Sequence, residues 1–290
     1  MTAPHFTTLI SADQLLALIQ ADRPLMVFDC SFDLMKPHAG DQQFAEAHIP
    51  GSVRADLDRH LSAAHGAPTA ASGGRHPLPA REAFAAWLAS AGFASNMQAV
   101  VYDRQRASYC GRLWWMLKWV GHENVAVLDG GLPAWYAAGG VVTSGAATEH
   151  APTQFMPTEA RATLVNVQQV KKGLGQSSQS LIDARAEPRF KGDVEPIDPV
   201  AGHIPGALNR PFGNNIDDDG LFKPAVVLKA ELLELLDGRD PASVVHHCGS
   251  GVSAVPNIIA MEVAGLGRQA LFAGSWSEWC SDPARPVEKG

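Results

Sequence analysis

Short apolar runs alternate along the chain with longer amphipathic stretches. The apolar runs, which predict β-strands, lie at 25–28, 99–102, 125–128, 181–182, 243–246 and 270–272. The amphipathic stretches, which predict helices, lie at 81–92, 107–120, 229–236 and 252–264. Alternation of this kind is typical of a parallel sheet covered by helices on both faces, so the predicted fold class is α/β.

The chain carries its pattern twice. The tetrapeptide HIPG occurs at His48–Gly51 and again at His203–Gly206, and both copies predict turns with a structural histidine. A helix-capping residue followed three positions later by glutamine occurs at Ser11 and again at Asn166. Because these motifs keep the same order in both halves, they predict two homologous domains.

A further repeated motif helps to set the limits of the two halves. Gly130–Trp135 in the first half corresponds to Gly274–Trp279 in the second. Residues 146–160 lie between the halves and replace periodic apolar positions with alanine, threonine and proline, which is typical of a linker. We therefore expect an N-terminal domain at 1–145, a linker at 146–160 and a C-terminal domain at 161–290, each domain having its own parallel sheet.

Length and charge narrow the class of protein. The chain has 290 residues, enough for two domains. Its 30 acidic and 23 basic residues give a formal net charge of -7, which argues against a nucleic-acid partner. The first twenty residues contain no lysine or arginine, and no run of eighteen apolar residues occurs. We expect a cytoplasmic monomer with no membrane contact.

Cys248 has the most informative surroundings of the four cysteines. A β-branched run ends at this residue, the glycine-bearing segment Gly249–Ser253 follows, and a helical pattern comes next. Parallel sheets bind ligands at the carboxyl ends of their strands. Glycines allow backbone N–H groups to converge there, and the next helix adds its positive end. The segment therefore predicts a cup for an anion or a thiolate, with a buried structural cysteine as the alternative.

The other cysteines and the first half do not repeat this arrangement. Cys30, Cys110 and Cys280 form no C-x-x-C pair, so we expect reduced thiols rather than a disulfide framework. In the first half the corresponding strand ends in Asp103–Arg106, without a cysteine. Only the second half is therefore expected to perform cysteine chemistry.

Two further chemistries are excluded by the residues around Cys248. A cysteine phosphatase needs arginine six positions after the cysteine, and that residue is Ala254. His246 and His247 precede Cys248 directly, but consecutive residues of a strand point to alternating faces, so the three cannot chelate one metal.

Taken together, these motifs resemble the two-domain rhodanese superfamily of sulfurtransferases. The resemblance is carried by HIPG in each half, by the CGSGVS sequence that starts at Cys248 and by GSWSEW at Gly274–Trp279. It implies two rhodanese-like domains, of which only the C-terminal one is catalytic. It also implies that Cys248 accepts a sulfane sulfur as a persulfide and passes it to cyanide, a small thiol or thioredoxin, without a metal or organic cofactor.

Within the family, the loop is similar to that of the mercaptopyruvate-specific members. Thiosulfate-specific relatives have arginine and lysine where this chain has Gly249 and Ser250. The resemblance implies that Ser250 works with His76 and Asp58 in proton transfer. His76 and Asp58 lie in a long loop of the first half, which is expected to extend toward the half that carries Cys248.

The resemblance also implies a substrate-binding set. Arg185 and Arg189 match arginines that bind the donor carboxylate, although structural ion pairs are the alternative for both. Mercaptopyruvate-specific members commonly have a further arginine directly after a Glu-Pro pair. In this chain Ile197 occupies that position. The backbone of the loop, which includes Gly249, Gly251, Val252 and Ser253, is expected to hold the transferred sulfur. Two functions stay open beside mercaptopyruvate sulfur transfer: thiosulfate sulfur transfer and a non-enzymatic interaction module.

Overall fold

Each half of the chain forms its own sheet in a computed structural model that describes residues 5–290. The strands of the first sheet are β1 (Leu9–Ile10), β2 (Leu25–Asp29), β3 (Val53–Arg54), β4 (Gln98–Tyr102) and β5 (Val125–Leu128). Their order across the sheet is β1-β5-β4-β2-β3, and neighbouring strands are parallel. The three apolar runs predicted as strands in this half are its longest strands.

The helices of the first half connect these strands. They are α1 (Ala12–Gln20), α2 (Ala39–Glu46), α3 (Arg81–Ser90), α4 (Cys110–Trp119) and α5 (Gly131–Ala137). Every residue of α4 is buried, because its apolar side chains cover most of the helix surface. The short helices α2 and α5 were not predicted, since neither is long enough to show a periodic pattern.

The second sheet repeats the arrangement of the first. Its strands are β6 (Ser180–Asp183), β7 (Leu208–Asn209), β8 (Val244–His247) and β9 (Ala270–Leu271). They lie parallel in the order β7-β6-β8-β9, which corresponds to β3-β2-β4-β5 of the first sheet. The predicted fold class, two α/β domains with parallel sheets, is confirmed.

The helices of the second half differ from the prediction mainly at their ends. They are α6 (Val167–Lys172), α7 (Glu187–Lys191), α8 (Ala225–Leu236), α9 (Val255–Val263) and α10 (Ser275–Trp279). Helix α8 begins directly after Pro224, earlier than its apolar pattern suggested. Helix α9 begins three residues after the predicted start, because Val252–Ala254 form part of the turn that follows Cys248.

Matching side-chain contacts explain the two HIPG motifs. His48 Nδ1 lies 2.8 Å from the carbonyl oxygen of Phe44, and the two rings stack at 3.8 Å. His203 repeats this with Phe190, again at 2.8 Å and 3.8 Å. The predicted structural role of both histidines is confirmed.

The predicted helix caps are also present in both halves. Ser11 Oγ accepts the backbone N–H of Gln14, and the Gln14 side chain accepts the N–H of Ser11. Asn166 and Gln169 form the same reciprocal pair at the start of α6. These capping boxes satisfy N–H groups that have no partner within a helix.

Packing groups the chain into two compact units. The first contains the described chain up to Ser62, together with Ala80–Arg161 and Asp219–Leu221. The second contains Ala63–Pro79, Ala162–Asp218 and Phe222–Gly290. The segment Ala63–Pro79, although it precedes α3 in the chain, therefore belongs to the unit that contains Cys248.

Candidate active site

Cys248 follows β8, an interior strand of the second sheet, at its carboxyl end. Its backbone N–H donates to Ser275 Oγ at 3.1 Å, and its carbonyl oxygen accepts the N–H of Trp276 at 2.9 Å. The residue is 1% exposed. The start of α10 therefore holds the backbone of Cys248 from both sides and keeps its thiol in a protected position.

The turn after Cys248 depends on Gly251. This glycine has a φ of +72°, and a methyl group built on it would lie 2.7 Å from the Cα of Ala273. No other residue meets both conditions without strain. The close approach to Ala273 therefore gives the loop its tight curvature, as the sequence pattern predicted.

The loop offers several backbone N–H groups to a ligand. Those of Gly249, Ser250, Val252 and Ser253 donate to no acceptor within residues 5–290. Gly249, Ser250 and Val252 are buried residues. Unpaired buried donors are costly unless a ligand fills the site. The loop can accept an anion or a negatively charged sulfur atom.

His76 and Ser250 form the candidate pair for proton transfer. His76 Nδ1 lies 2.8 Å from Ser250 Oγ. The two residues are 6% and 7% exposed, and both belong to the second unit. Ser250 is two residues from Cys248 in the chain. Together, its hydroxyl and the His76 imidazole can carry a proton to or from a molecule bound at Cys248.

Asp58, the third residue of the predicted catalytic set, belongs to the first unit. Its backbone N–H donates to Asp56 Oδ1 at 3.1 Å. Burial raises the pKa of the Asp58 carboxyl, and the neighbouring Asp56 carboxylate raises it further. Its part in the catalytic set stays a prediction.

Arg185 is almost fully engaged by protein groups. Its Nε and Nη2 both contact the Asp183 carboxylate, at 3.0 and 2.7 Å, and Nη1 contacts Glu195 at 3.3 Å. Burial lowers the pKa of Arg185, but Asp183, Glu195 and the Cys248 thiolate together raise it above its ordinary value. Arg185 therefore supplies positive charge near Cys248, while its hydrogen-bond donors already have partners.

Arg189 is partly available to a ligand. Its Nε and Nη2 contact the Glu195 carboxylate at 3.2 and 2.6 Å, and Nη2 also contacts Asp198 at 3.1 Å. A methyl group built on Gly249 would lie 3.7 Å from its Nη1. Arg189 thus directs one free corner of its guanidinium toward the loop.

Arg75 is a further cation at this site, and the sequence analysis missed it. Its Nη1 contacts Asp198 at 2.5 Å, whereas its buried Nε has no hydrogen-bond partner in the described chain. A methyl group on Gly249 would lie 3.1 Å from its Nη2. The edge formed by Nε and Nη2 is the one that grips a carboxylate with two parallel hydrogen bonds. The only available signal was the position of Arg75 directly before His76.

The two histidines before Cys248 are buried neutral imidazoles. Burial lowers the pKa of His246 to about 3, and burial also lowers that of His247. Within residues 5–290, no three histidine, cysteine or acidic side chains are grouped so as to bind a metal ion.

The first unit has a closed counterpart of the Cys248 loop. Asp103 follows β4 at the position that Cys248 has after β8. Its carboxylate accepts four backbone N–H groups at 2.9 to 3.0 Å, from Gln105, Ala107, Tyr109 and Cys110. Gln105 and Ala107 correspond to Ser250 and Val252, so two of the donors that are free around Cys248 are occupied by the protein's own anion in the first unit.

Asp103→Asn should destabilise the protein by about 3 kcal/mol, because an amide offers one neutral acceptor where the carboxylate binds four N–H groups. Urea unfolding measures the change. Asp33→Asn is the matched control, since Asp33 accepts one exposed N–H, from Met35. An equal loss of unfolding free energy in both variants would mean that the four hydrogen bonds to Asp103 stabilise the protein no more than the single bond to Asp33.

The comparisons with known proteins agree with this duplicated architecture. The model of the Rhodanese-like domain matches residues 11–138 and again residues 166–282. The chain belongs to the rhodanese family. This confirms the resemblance found in the sequence and assigns both halves to one domain type.

Relatives of this rhodanese-family chain extend over its whole length. A Pseudomonas aeruginosa protein named "Probable 3-mercaptopyruvate sulfurtransferase" is 43% identical over 97% of this chain and 98% of its own. "Putative thiosulfate sulfurtransferase SseB" of Mycobacterium tuberculosis is 39% identical over 97% of both chains.

A solved structure shares the fold. SseA of Escherichia coli, described among 3-mercaptopyruvate sulfotransferases, superimposes with a TM-score of 0.77 at 29% identity, covering 94% of this chain and 100% of SseA. Among the described residues, no helix of this rhodanese-family chain is long and apolar enough to cross a membrane.

Proposed function

We propose that this protein is a sulfurtransferase that moves sulfur from 3-mercaptopyruvate, through a persulfide on Cys248, to a thiol, thioredoxin or cyanide. The observation that carries the proposal is the 2.8 Å contact between His76 and Ser250 beside the Cys248 loop. Relatives named for this activity or for thiosulfate sulfur transfer support the sulfurtransferase class.

The first step transfers sulfur to Cys248. The thiolate attacks the donor sulfur, an S–S bond forms, and the C–S bond breaks with its electron pair going to carbon. The resulting pyruvate enolate takes up a proton, which balances the proton lost from the donor thiol. Ser250 and His76 are placed to move that proton. The products are pyruvate and the Cys248 persulfide.

The second step returns Cys248 to its thiolate. An acceptor thiolate or cyanide attacks the outer sulfur, and the S–S bond breaks with its electron pair going to Cys248. Before that attack, the N–H groups of Gly249, Ser250, Val252 and Ser253 stabilise negative charge on the outer sulfur. Gly251 and Val252 contribute by shaping that loop, and Ser253 by its backbone N–H.

Two arginines are proposed to bind the donor carboxylate. Arg75 offers an open two-donor edge, and Arg189 offers Nη1 on the same side of Gly249. Arg185 is assigned the role of a fixed positive charge, since Asp183 and Glu195 occupy its donors. The proposed catalytic role of Asp58 rests on the family resemblance alone. The proposed cytoplasmic location and monomeric state rest on the sequence alone.

The proposal is tested by treating the reduced protein with one equivalent of 3-mercaptopyruvate. We expect one added sulfur atom per chain by intact-mass spectrometry and one equivalent of released pyruvate. Peptide mapping should place the sulfur on Cys248. Pyruvate release without any gain in mass, or no reaction, would contradict the proposal.

Arg75→Gln should raise the KM for 3-mercaptopyruvate about 10- to 100-fold and change kcat less, because a carboxylate contact far from the breaking bond acts alike on ground and transition states. Arg189→Gln should have a smaller effect, since Arg189 exposes a single corner. Steady-state kinetics of both variants measure this order.

Mercaptoacetone, which has a methyl group in place of the carboxylate, is the control donor. Its KM should stay unchanged in Arg75→Gln. Arg268→Gln is the control variant, because Arg268 pairs with Glu262 near the end of α9 that is remote from the loop. A loss of equal size with both donors would return Arg75 to a structural role.

A further inference from the structure

A tight turn brings His76 to the loop, and α10 holds that turn at several points. The backbone N–H of Arg75 donates to Ser277 Oγ at 3.0 Å. The Glu278 carboxyl group lies beside Gly73, whose backbone N–H lowers the pKa of that carboxyl. Gly74, at a φ of +86°, packs against the carbonyl group of Gly274. Three consecutive residues before His76 therefore contact the start of α10 or its side chains.

The packing leaves little freedom at these contacts. A methyl group built on Gly73 would lie 2.6 Å from Glu278 Oε1. A side chain at Gly274 would also collide with the Glu278 carboxyl. The carboxyl group is thus enclosed by two glycines. It reaches the turn only because neither position has a side chain.

Helix α5 of the first half, the counterpart of α10, forms without the polar residues that correspond to Ser277 and Glu278. The matching motif there is Gly130–Trp135, in which Pro133 and Ala134 take the places of Ser277 and Glu278. The closing tryptophan is buried in both copies. The tryptophan therefore belongs to the core of each unit, whereas serine and glutamate are present only in the half that contacts the His76 turn.

The partly buried position of Glu278 is unfavourable for a carboxylate, and the fold of α10 alone does not require a carboxylate there. Burial raises the pKa of its carboxyl group, although Arg285 and the N–H of Gly73 lower it. A partly buried carboxylate costs free energy unless hydrogen bonds compensate. Part of this compensation comes from the backbone N–H of Gly73, which lowers the pKa of Glu278. Glu278 is therefore linked to the turn that carries His76.

We infer that Ser277 and Glu278 are positioning residues that hold the Gly73–His76 turn, so that the His76 imidazole stays in contact with Ser250. The inference rests on the proposed function, since it assigns to both residues an effect on proton transfer. Neither residue touches Cys248 or the donor in this role. They act through the backbone of the turn.

Ser277→Ala should lower kcat for 3-mercaptopyruvate about fivefold, because one neutral hydrogen bond to the turn is lost. KM should change less than about twofold, because the ion pair with Asp198 still holds the Arg75 guanidinium in place. Glu278→Ala should lower kcat about tenfold or more, because the side chain packed against Gly73 and Gly274 is removed, and Glu278→Gln should recover most of the rate by keeping a polar side chain of the same size there. Ser281→Ala is the control, since Ser281 Oγ bonds the carbonyl of Glu278 on the same chain segment but receives no N–H from the turn.

A double-mutant cycle separates positioning from general stability. On a His76→Ala background, Ser277→Ala and Glu278→Ala should have no further effect on kcat, because the side chain that they position is gone. The same fold-loss on both backgrounds would overturn the inference. Melting temperatures of all variants identify any that fail to fold, and Ser277→Ala, the mildest change, then decides.

A spectroscopic measurement tests the inference without any donor. The ¹⁵N shifts of the His76 imidazole in the resting protein should move in Ser277→Ala toward those of a solvated histidine, and Ser281→Ala should leave them unchanged. If the wild-type protein proved inactive with 3-mercaptopyruvate, the proposed function would fail while this measurement still decided on positioning. Unchanged His76 shifts in Ser277→Ala would contradict the inference.

Discussion

Cys248→Ser should abolish sulfur transfer and leave the fold intact. A hydroxyl group cannot accept a sulfane sulfur as a thiolate does, so the covalent carrier is lost and no side reaction restores it. Serine differs from cysteine only in having oxygen in place of sulfur, so the buried position after β8 can hold either side chain and the fold is kept. Steady-state assays with both mercaptopyruvate and thiosulfate measure the loss, and circular dichroism checks the fold.

The three other cysteines provide matched controls. Cys30, Cys110 and Cys280 are free, and burial raises the pKa of each thiol. Serine at any of these positions should therefore retain transfer. Sulfur transfer that persisted in Cys248→Ser, with the added mass on another cysteine, would refute the assignment of the carrier.

Ser250→Ala should lower the turnover of 3-mercaptopyruvate about 10²- to 10⁴-fold, the usual contribution of an acid–base group. Turnover of thiosulfate should stay almost unchanged, because sulfite leaves without being protonated. His76→Ala should reproduce this split, since its Nδ1 contacts the Ser250 hydroxyl. Kinetics with the two donors, run on the same preparations, measure it.

Ser243→Ala is the control for Ser250→Ala. Ser243 Oγ bonds Ser180 at 3.1 Å, just before β8, at the other end of the strand from Cys248. Its loss should affect neither donor. Equal losses on both donors in Ser250→Ala would mean that the hydroxyl shapes the loop, and the proton-transfer role of Ser250 and His76 would have to be abandoned.

Much of the fold was predictable because repeated local signals agree with each other. The HIPG histidines bond a nearby backbone carbonyl, and the caps at Ser11 and Asn166 involve residues three positions apart. Five of the six apolar runs that predicted strands are interior strands of their sheets, and the sixth, 270–272, is the edge strand β9. The short helices α2 and α5 and the two-residue strands β1, β3 and β7 were missed, because segments of this length are held by packing rather than by their own pattern.

The charges around the loop could not be predicted from the same signals. The loop itself contains no cation, as the sequence shows, yet Arg75 and Arg189 both lie beside Gly249. Arg75 is far from Gly249 in the chain, so no local pattern reveals the contact. Glu195 and Asp198 organise the arginines, and this network also decides which guanidinium edge stays open.

These cations bear directly on the choice of donor. Arg75 and Arg189 suit the single carboxylate of 3-mercaptopyruvate, but they also place positive charge where a thiosulfate dianion would bind. What favours mercaptopyruvate is the hydroxyl of Ser250 with its histidine partner, because that donor's leaving group must be protonated and the leaving group of thiosulfate need not be.

The central claim is tested most directly by the kcat/KM values of the wild-type protein for 3-mercaptopyruvate and thiosulfate, measured side by side with the same acceptor. The account predicts that 3-mercaptopyruvate is preferred by about tenfold or more, since proton transfer by Ser250 and His76 benefits that donor alone. A kcat/KM for thiosulfate equal to or greater than that for 3-mercaptopyruvate would contradict it.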